Sequence, residues 1–200
     1  MDHVAALRCT QCGEEYDPNE FRYTCDEHGG WAGILEVVYD YDRVLDRFDA
    51  ELDGAIADQW KYRAFLPVED DAEPVTIGEG GTPLLDAPRL GEHLGLTVGI
   101  KDETGNPTGA SKDRGTAVVV TRAVQAGHDV VTCASTGNAA ASLAGYAARA
   151  GLDCRIFVPA DLPDGKAVQP RVYGAEVLAV DGSYEDAYDC CRAVSAREGW

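Results

Sequence analysis

Lysine is scarce in this 200-residue chain. Only four of its 17 basic residues are Lys, against 35 Asp and Glu, and the formal net charge is -18. A negative field of that size repels phosphate backbones and anionic lipid, which excludes nucleic acid and membrane surfaces as partners. No stretch reaches the roughly 20 apolar residues that a membrane-spanning helix needs. The start, MDHVAALRC, lacks the basic-then-apolar order of a secretory signal, so the cytoplasm is the expected location. The seven cysteines are odd in number and three of them cluster near the N-terminus, which is not the framework of a disulfide-stapled secreted protein. The acid is spread along the whole chain rather than gathered in a tail. Together with the shortage of Lys this reads as a halophilic composition, in which dense counter-ions screen self-repulsion; an acidic cytosolic surface is the plainer alternative.

What remains is an ordinary globular apolar content of 45% and enough length for one or two domains. Three regions follow from the pattern. Residues 1–35 form a small unit with two turn-rich cysteine knuckles. Residues 36–75 carry apolar positions spaced for one or two amphipathic helices, ended by Pro67 and the run Glu69-Asp70-Asp71. From 76 to 200 short β-rich runs alternate with helical ones. Strands are expected at 96–100, 129–133, 154–158 and 176–180, and helices at 112–126, 138–150, 166–173 and 184–197. Such alternation predicts an α/β fold, a parallel sheet with helices on both faces. The alternation stops soon after its last helix, so the chain is expected to be the front part of a longer protein.

In the first region Cys9-Thr-Gln-Cys12 is followed, after twelve intervening residues, by Cys25-Asp-Glu-His28, with Gly13 after the first pair and Gly29-Gly30 after the second. Two pairs of soft or borderline ligands at this spacing suit a tetrahedral, structural zinc in a zinc-ribbon-like unit; a relic knuckle that folds without metal is the alternative. His3 is a less regular substitute for His28.

The densest chemistry lies in Lys101-Asp-Glu-Thr-Gly-Asn-Pro-Thr-Gly-Ala-Ser-Lys112-Asp-Arg-Gly115. A turn-rich loop runs into a helix whose first turn holds Lys112. An ammonium at the positive end of a helix dipole is destabilised, which favours the free amine needed for Schiff-base chemistry. An exposed turn lysine is the plainer reading. Ser135-Thr136-Gly137-Asn138 joins a strand to an Ala-rich helix, a place where backbone amides receive a carboxylate or phosphate, or where the same side chains simply cap the helix. Gly78-Glu-Gly-Gly-Thr-Pro-Leu-Leu85 reads as a turn before an extended segment.

Taken in order and spacing, GEGGTPLL, KDETGNPTGASKDRG, ASTGNAAASLAGYAARAG, VPADLPDGK and YGAEVLAVDGSYEDAYD resemble the threonine synthases and, more widely, the fold-type II pyridoxal-phosphate (PLP) enzymes. The likeness covers nearly the whole chain, and the cysteine knuckle is similar to the front end of many archaeal and bacterial members. It implies that Lys112 carries PLP and acts in catalysis. It also implies that Asn138 bonds the cofactor's phenolic oxygen, and that Ser135, Thr136 and Gly137 receive the substrate carboxylate. Asn106, Thr108 and Arg114 are the candidates to hold the substrate phosphate. The implied reaction is a lyase step: O-phospho-L-homoserine and water give L-threonine and phosphate. The amine freed from Lys112 would move protons at the α and β carbons, phosphate would leave from the γ carbon, and water would add at the β carbon. Alternatives are a related enzyme such as a threonine dehydratase or cysteate synthase, or a catalytically silent zinc-binding fragment. Beyond the small amino-acid substrate, a homodimer is the one partner foreseen. The sequence departs from the family at Ala110-Ser111, where a Ser-Phe pair is usual. The Gly-rich loop for the PLP phosphate and the Ser or Thr facing the pyridine nitrogen are expected beyond residue 200.

Overall fold

The computed structural model describes residues 1–20, 22–28, 32–51 and 58–200, with side chains at all of these except 49–51. The expected Gly29-Gly30 turn lies outside the described residues. The chain forms two compact units, Met1–Glu73 and Pro74–Trp200.

The first unit is built on a three-stranded antiparallel sheet of order β2-β1-β3, with β1 Val4–Cys9, β2 Glu15–Tyr16 and β3 Leu35–Tyr39. Along β1 buried and exposed residues alternate except at the adjacent buried pair Ala6-Leu7, next to the point between Val4 and Ala6 where the register with β3 shifts and one extra residue is accommodated. The helices expected over 36–75 therefore begin only after Tyr39. The run Val37-Val38-Tyr39 is β-branched and aromatic, and β1 offers it an edge to pair with: Leu7 faces Val37, and Ala6 faces Val38. Helix α1, Tyr41–Glu51, turns Val44 into the core. A 3-10 segment, Gln59–Phe65, starts at Asp58, whose side chain accepts the Trp60 amide at 2.9 Å. Val4, Leu7, Val44, Trp60, Ala64 and Val68 make the core.

The second unit opens with β4, Leu84–Asp86, and β5, Gly99–Lys101, joined through α2, Pro88–Leu94. These two strands pair antiparallel in a sheet of their own, whereas the sequence pattern placed the segment 96–100 among parallel strands. The reason is local. The chain doubles back over the end of α2, with Gly95 left-handed at φ 67°. A Cβ on Gly91 would lie 2.5 Å from the Leu96 carbonyl oxygen, so only glycine permits the return. The remaining elements alternate: α3 Lys112–Gln125, β6 Val130–Ala134, α4 Asn138–Ala150, β7 Asp153–Pro159, α5 Asp164–Val172, β8 Glu176–Val180 and α6 Tyr184–Glu198. Strands β6, β7 and β8 are parallel and adjacent in that order. Two crossovers running the same way place α4 and α5 on one face. Helix α6 covers the other, its Ser195 hydroxyl 2.9 Å from that of Thr132 on β6. Small side chains let α4 pack closely, with Ala140, Ala141, Ala144 and Ala147 buried, and Gly151 ends the helix at φ 73°.

Candidate active site

The candidate site gathers where β6 ends and α3 and α4 begin. In parallel α/β sheets ligand crevices lie at the carboxyl ends of the strands, and a cavity of about 290 Å³ sits here, lined by Lys112, Gly115, Thr116 and Val119 of α3, Thr132 and Cys133 of β6, and Ala139 and Leu143 of α4. The α3 contributors fall at i, i+3, i+4 and i+7, one stripe of a helix. Its opposite stripe, Asp113, Ala117, Val120 and Thr121, is buried. Lys112 is the first residue of α3 and is exposed. Cys133, also on the cavity wall, is held as a thiol: burial pushes it up to about 12, as it does Cys154.

Facing this stripe is the start of α4. Gly137 occupies the cap position with φ -148° and, having no side chain, gives the helix's first amides no side-chain cap. The Gly137 amide turns back to the Ser135 hydroxyl at 3.3 Å. Thirteen residues of helix thus end in an N-terminus without a side-chain cap, suited to an anion. Ala139 lines the cavity and Asn138 is its chain neighbour, exposed together with Gly137. Lys112 and Ala139 of α4 thus line one cavity, and the Ser135–Asn138 turn directly precedes Ala139 in the chain.

Asn106, Thr108 and Arg114, the candidates for the substrate phosphate, make hydrogen bonds within a network that shapes the loop before Lys112. Arg114 donates to both oxygens of Glu103, at 2.7 and 2.9 Å, and to the Thr82 hydroxyl at 3.0 Å. Asn106 donates to Glu103 and accepts the Gly80 amide at 3.0 Å, and the Lys101 ammonium donates to the Thr82 carbonyl. The Thr108 amide and hydroxyl both donate to Asp113, which also accepts the Ser142 hydroxyl at 2.7 Å. Asp113 and Ser142 are fully buried. A second buried carboxyl group, Glu79, accepts from the Tyr146 hydroxyl at 2.7 Å, the Thr76 hydroxyl and the Ile77 amide. Burial, then that carboxyl group, raise the Tyr146 phenol well above its ordinary range. Sequence reasoning overlooked Asp113, Ser142, Glu79 and Tyr146. Asp113 carried a signal, because it falls on the apolar stripe with Ala117 and Val120, where a polar residue needs buried partners.

In the first unit Cys9, Cys12, Cys25 and His28 come together, with their ligand atoms all within 4.8 Å of one another. His3 stays outside this group: its Nε2 donates to the Leu66 carbonyl at 2.9 Å and its Nδ1 accepts from Arg47. The Tyr16 hydroxyl and then His28 hold the Cys25 thiol down at about 6.

An α/β unit whose helix-heading lysine lines a crevice beside an anion-ready helix start defines a class of cofactor-using enzymes. A family model described as "Pyridoxal-phosphate dependent enzyme" matches residues 75–200, and the chain belongs to that family. Within the family its relatives include threonine synthases. The chain is 42% identical to that of Methanocaldococcus jannaschii over 94% of its own length and 46% of the relative's. It is 43% identical to that of Methanosarcina acetivorans over 96% and 46%, and 48% identical to that of Mycobacterium leprae over 68% and 38%. The chain thus spans about half the length of the curated relatives it matches. Among solved structures it resembles a pyridoxal 5'-phosphate-dependent aspartate racemase, with TM-score 0.55, 26% identity, and 60% and 38% of the two chains covered. It also shares its fold with the processed form of threonine deaminase isoform 2 from Solanum lycopersicum, with TM-score 0.59, 20% identity, and 100% and 47% covered. Among the described residues no helix is long and apolar enough to cross a membrane.

Proposed function

We propose that this chain supplies the lysine-bearing part of a threonine synthase, which turns O-phospho-L-homoserine and water into L-threonine and phosphate. The observation that carries the reading is the meeting of Lys112 and the α4 N-terminus at one cavity, in a chain 42% identical to a threonine synthase over 94% of its length.

The residues present fit pyridoxal phosphate. A primary amine lines a cavity of about 290 Å³, and a glycine at position 137 leaves open space where a Cβ would sit, so a flat ring can approach the backbone. When bound, the cofactor supplies an electron sink for charge at the substrate's α carbon. Lys112 would hold it through Nζ, and Asn138 would donate to its ring oxygen. Ser135, Thr136 and the amides that follow Gly137 would receive the substrate carboxylate, with the α4 dipole favouring the negative charge. The Lys112 amine stands at the head of a helix and, when not holding the cofactor, would carry protons at the substrate's α and β carbons while phosphate departs and water adds. Asp113, Glu103 and Arg114 would keep the loop 102–111 in place and so position that amine. A mobile amine a fraction of an ångström astray would lose most of its advantage.

Borohydride reduction of the PLP-loaded protein followed by peptide mapping tests the anchor. The expected result is a pyridoxyl tag on Lys112, and a Lys112→Ala variant with the same melting behaviour and no tag. A tag on Lys101 or Lys166 would reject the assignment. Offering the same protein phosphohomoserine, threonine and O-phosphoserine tests the reaction, with phosphate and threonine expected from the first alone.

A further inference from the structure

The cysteine–histidine cluster lies outside residues 75–200, the part matched by the family, and outside the proposed reaction. We infer that Cys9, Cys12, Cys25 and His28 bind one zinc ion that clamps the first unit, with Tyr16 as a fixed hydrogen-bond donor to one of its thiolates. The inference stands independently of whether the chain makes threonine.

The ligand atoms lie within 4.8 Å of one another, and several of their separations come close to those of an ion's coordination shell. Zinc binds sulfur at about 2.3 Å and imidazole nitrogen at about 2.0–2.1 Å, so tetrahedral geometry sets S···S edges near ~3.8 Å and S···N edges near ~3.6 Å. The Cys12 and Cys25 sulfurs are 3.8 Å apart, and His28 Nδ1 lies 3.6 Å from Cys25 and 4.0 Å from Cys9. All three cysteines are free. Four protein ligands fill a tetrahedron and leave no position for a water or substrate, so the site is structural.

The backbone is shaped to serve it. After Cys9 the chain turns through Gly13 at φ 77°, whose amide donates to the Cys9 carbonyl, while the Gln11 amide points at the Cys9 sulfur at 3.4 Å. The second pair is tied to the strand side of the unit through the Cys25 amide, which donates to the Gly33 carbonyl at 2.8 Å. The ion would therefore join the β1–β2 turn to the 25–28 turn, two segments otherwise linked by a few hydrogen bonds.

Tyr16 completes the site from outside. Its hydroxyl donates to the Cys25 sulfur at 3.2 Å and accepts the Asp26 amide at 3.2 Å. The Arg22 guanidinium lies 4.4 Å from the Tyr16 ring centroid and pairs with Asp26 at 2.6 Å, which fixes the ring from its other side. A donor held this firmly orients a ligand and tunes its charge.

The test is metal analysis of the full chain purified under reducing conditions without added metal. One zinc per chain is expected. Exchange with cobalt(II) should give the visible bands of a tetrahedral thiolate site. Chelator should speed amide exchange in β1 and β3 more than in α3–α6. Cys12→Ser should lose the zinc. Because that variant can also unfold the unit, Tyr16→Phe is the second probe: it should keep one zinc per chain and release it to chelator with roughly 10-fold lower affinity. Wild-type protein that carries no zinc and stays colourless with cobalt would overturn the site, as would iron in its place. Unchanged affinity in Tyr16→Phe would overturn the role of the tyrosine.

Discussion

Glu103 takes hydrogen bonds from Arg114, Thr82 and Asn106, and that donor set, Arg114 foremost, holds its carboxyl down at about 2 from an ordinary 4.5. A folded-state value below the unfolded one means that the carboxylate's contribution to stability is full above about 4.5 and is lost as pH falls through 2. The group is partly open to water, so the effect is modest. Glu103→Gln should melt below wild type at neutral pH, and the gap should close as pH drops from 4.5 toward 2. Thermal melts across that window check it. A gap that ignores pH would mean that the pair carries no charge-dependent stability.

Helix ends are where single residues act on whole elements. Helix α6 begins with a reciprocal cap: the Ser183 hydroxyl accepts the Asp186 amide at 3.2 Å and the Asp186 carboxylate accepts the Ser183 amide at 2.7 Å. The pairing also lowers the Asp186 carboxyl, the Ser183 backbone bond foremost. Ser183→Ala should cost about 1 kcal/mol in urea unfolding, with an unchanged slope. A midpoint equal to that of wild type would show that α6 is held by packing on the sheet alone. Elements of this kind were legible beforehand. Ala-rich composition and a terminal glycine placed α4 at 138–150, and the strand at 176–180 followed from Val and Leu between polar flanks. Strand β3 was not legible, because Val37-Val38-Tyr39 precedes a helical run and its β character depends on an edge supplied by β1, some 30 residues away in sequence. The antiparallel turn of β5 was hidden for a similar reason: periodicity reports which residues pair with an interior, not which strand lies beside them.

At the scale of the molecule, the two clusters that carry chemistry were readable as local strings, Cys9–Cys12 with Cys25–His28, and the loop leading into Lys112. What the strings concealed is where their polar side chains go. Asn106, Thr108 and Arg114, candidates for the substrate phosphate in one dimension, in three also fasten a loop through Asp113 and Glu103. Donors close to a reactive residue in sequence are as readily used to hold backbone as to meet substrate, and only the partner atoms decide.

The stripe of α3 that borders the cavity contains a glycine one turn beyond the lysine. Gly115 lies within the helix, and a Cβ added there would meet no atom within 4 Å. Alanine in its place would remove a helix-interior glycine, a gain of ~0.5–1 kcal/mol, and would thicken the cavity wall by a methyl group. Gly115→Ala is accordingly expected to melt higher than wild type and to take up pyridoxal phosphate more slowly, read by differential scanning calorimetry and by the rate of colour development. A variant that gains heat resistance with no loss of uptake would show the space to be idle. If both changes appear, the chain has kept durability in reserve at this position, and a single hydrogen atom marks the bargain between lasting and working.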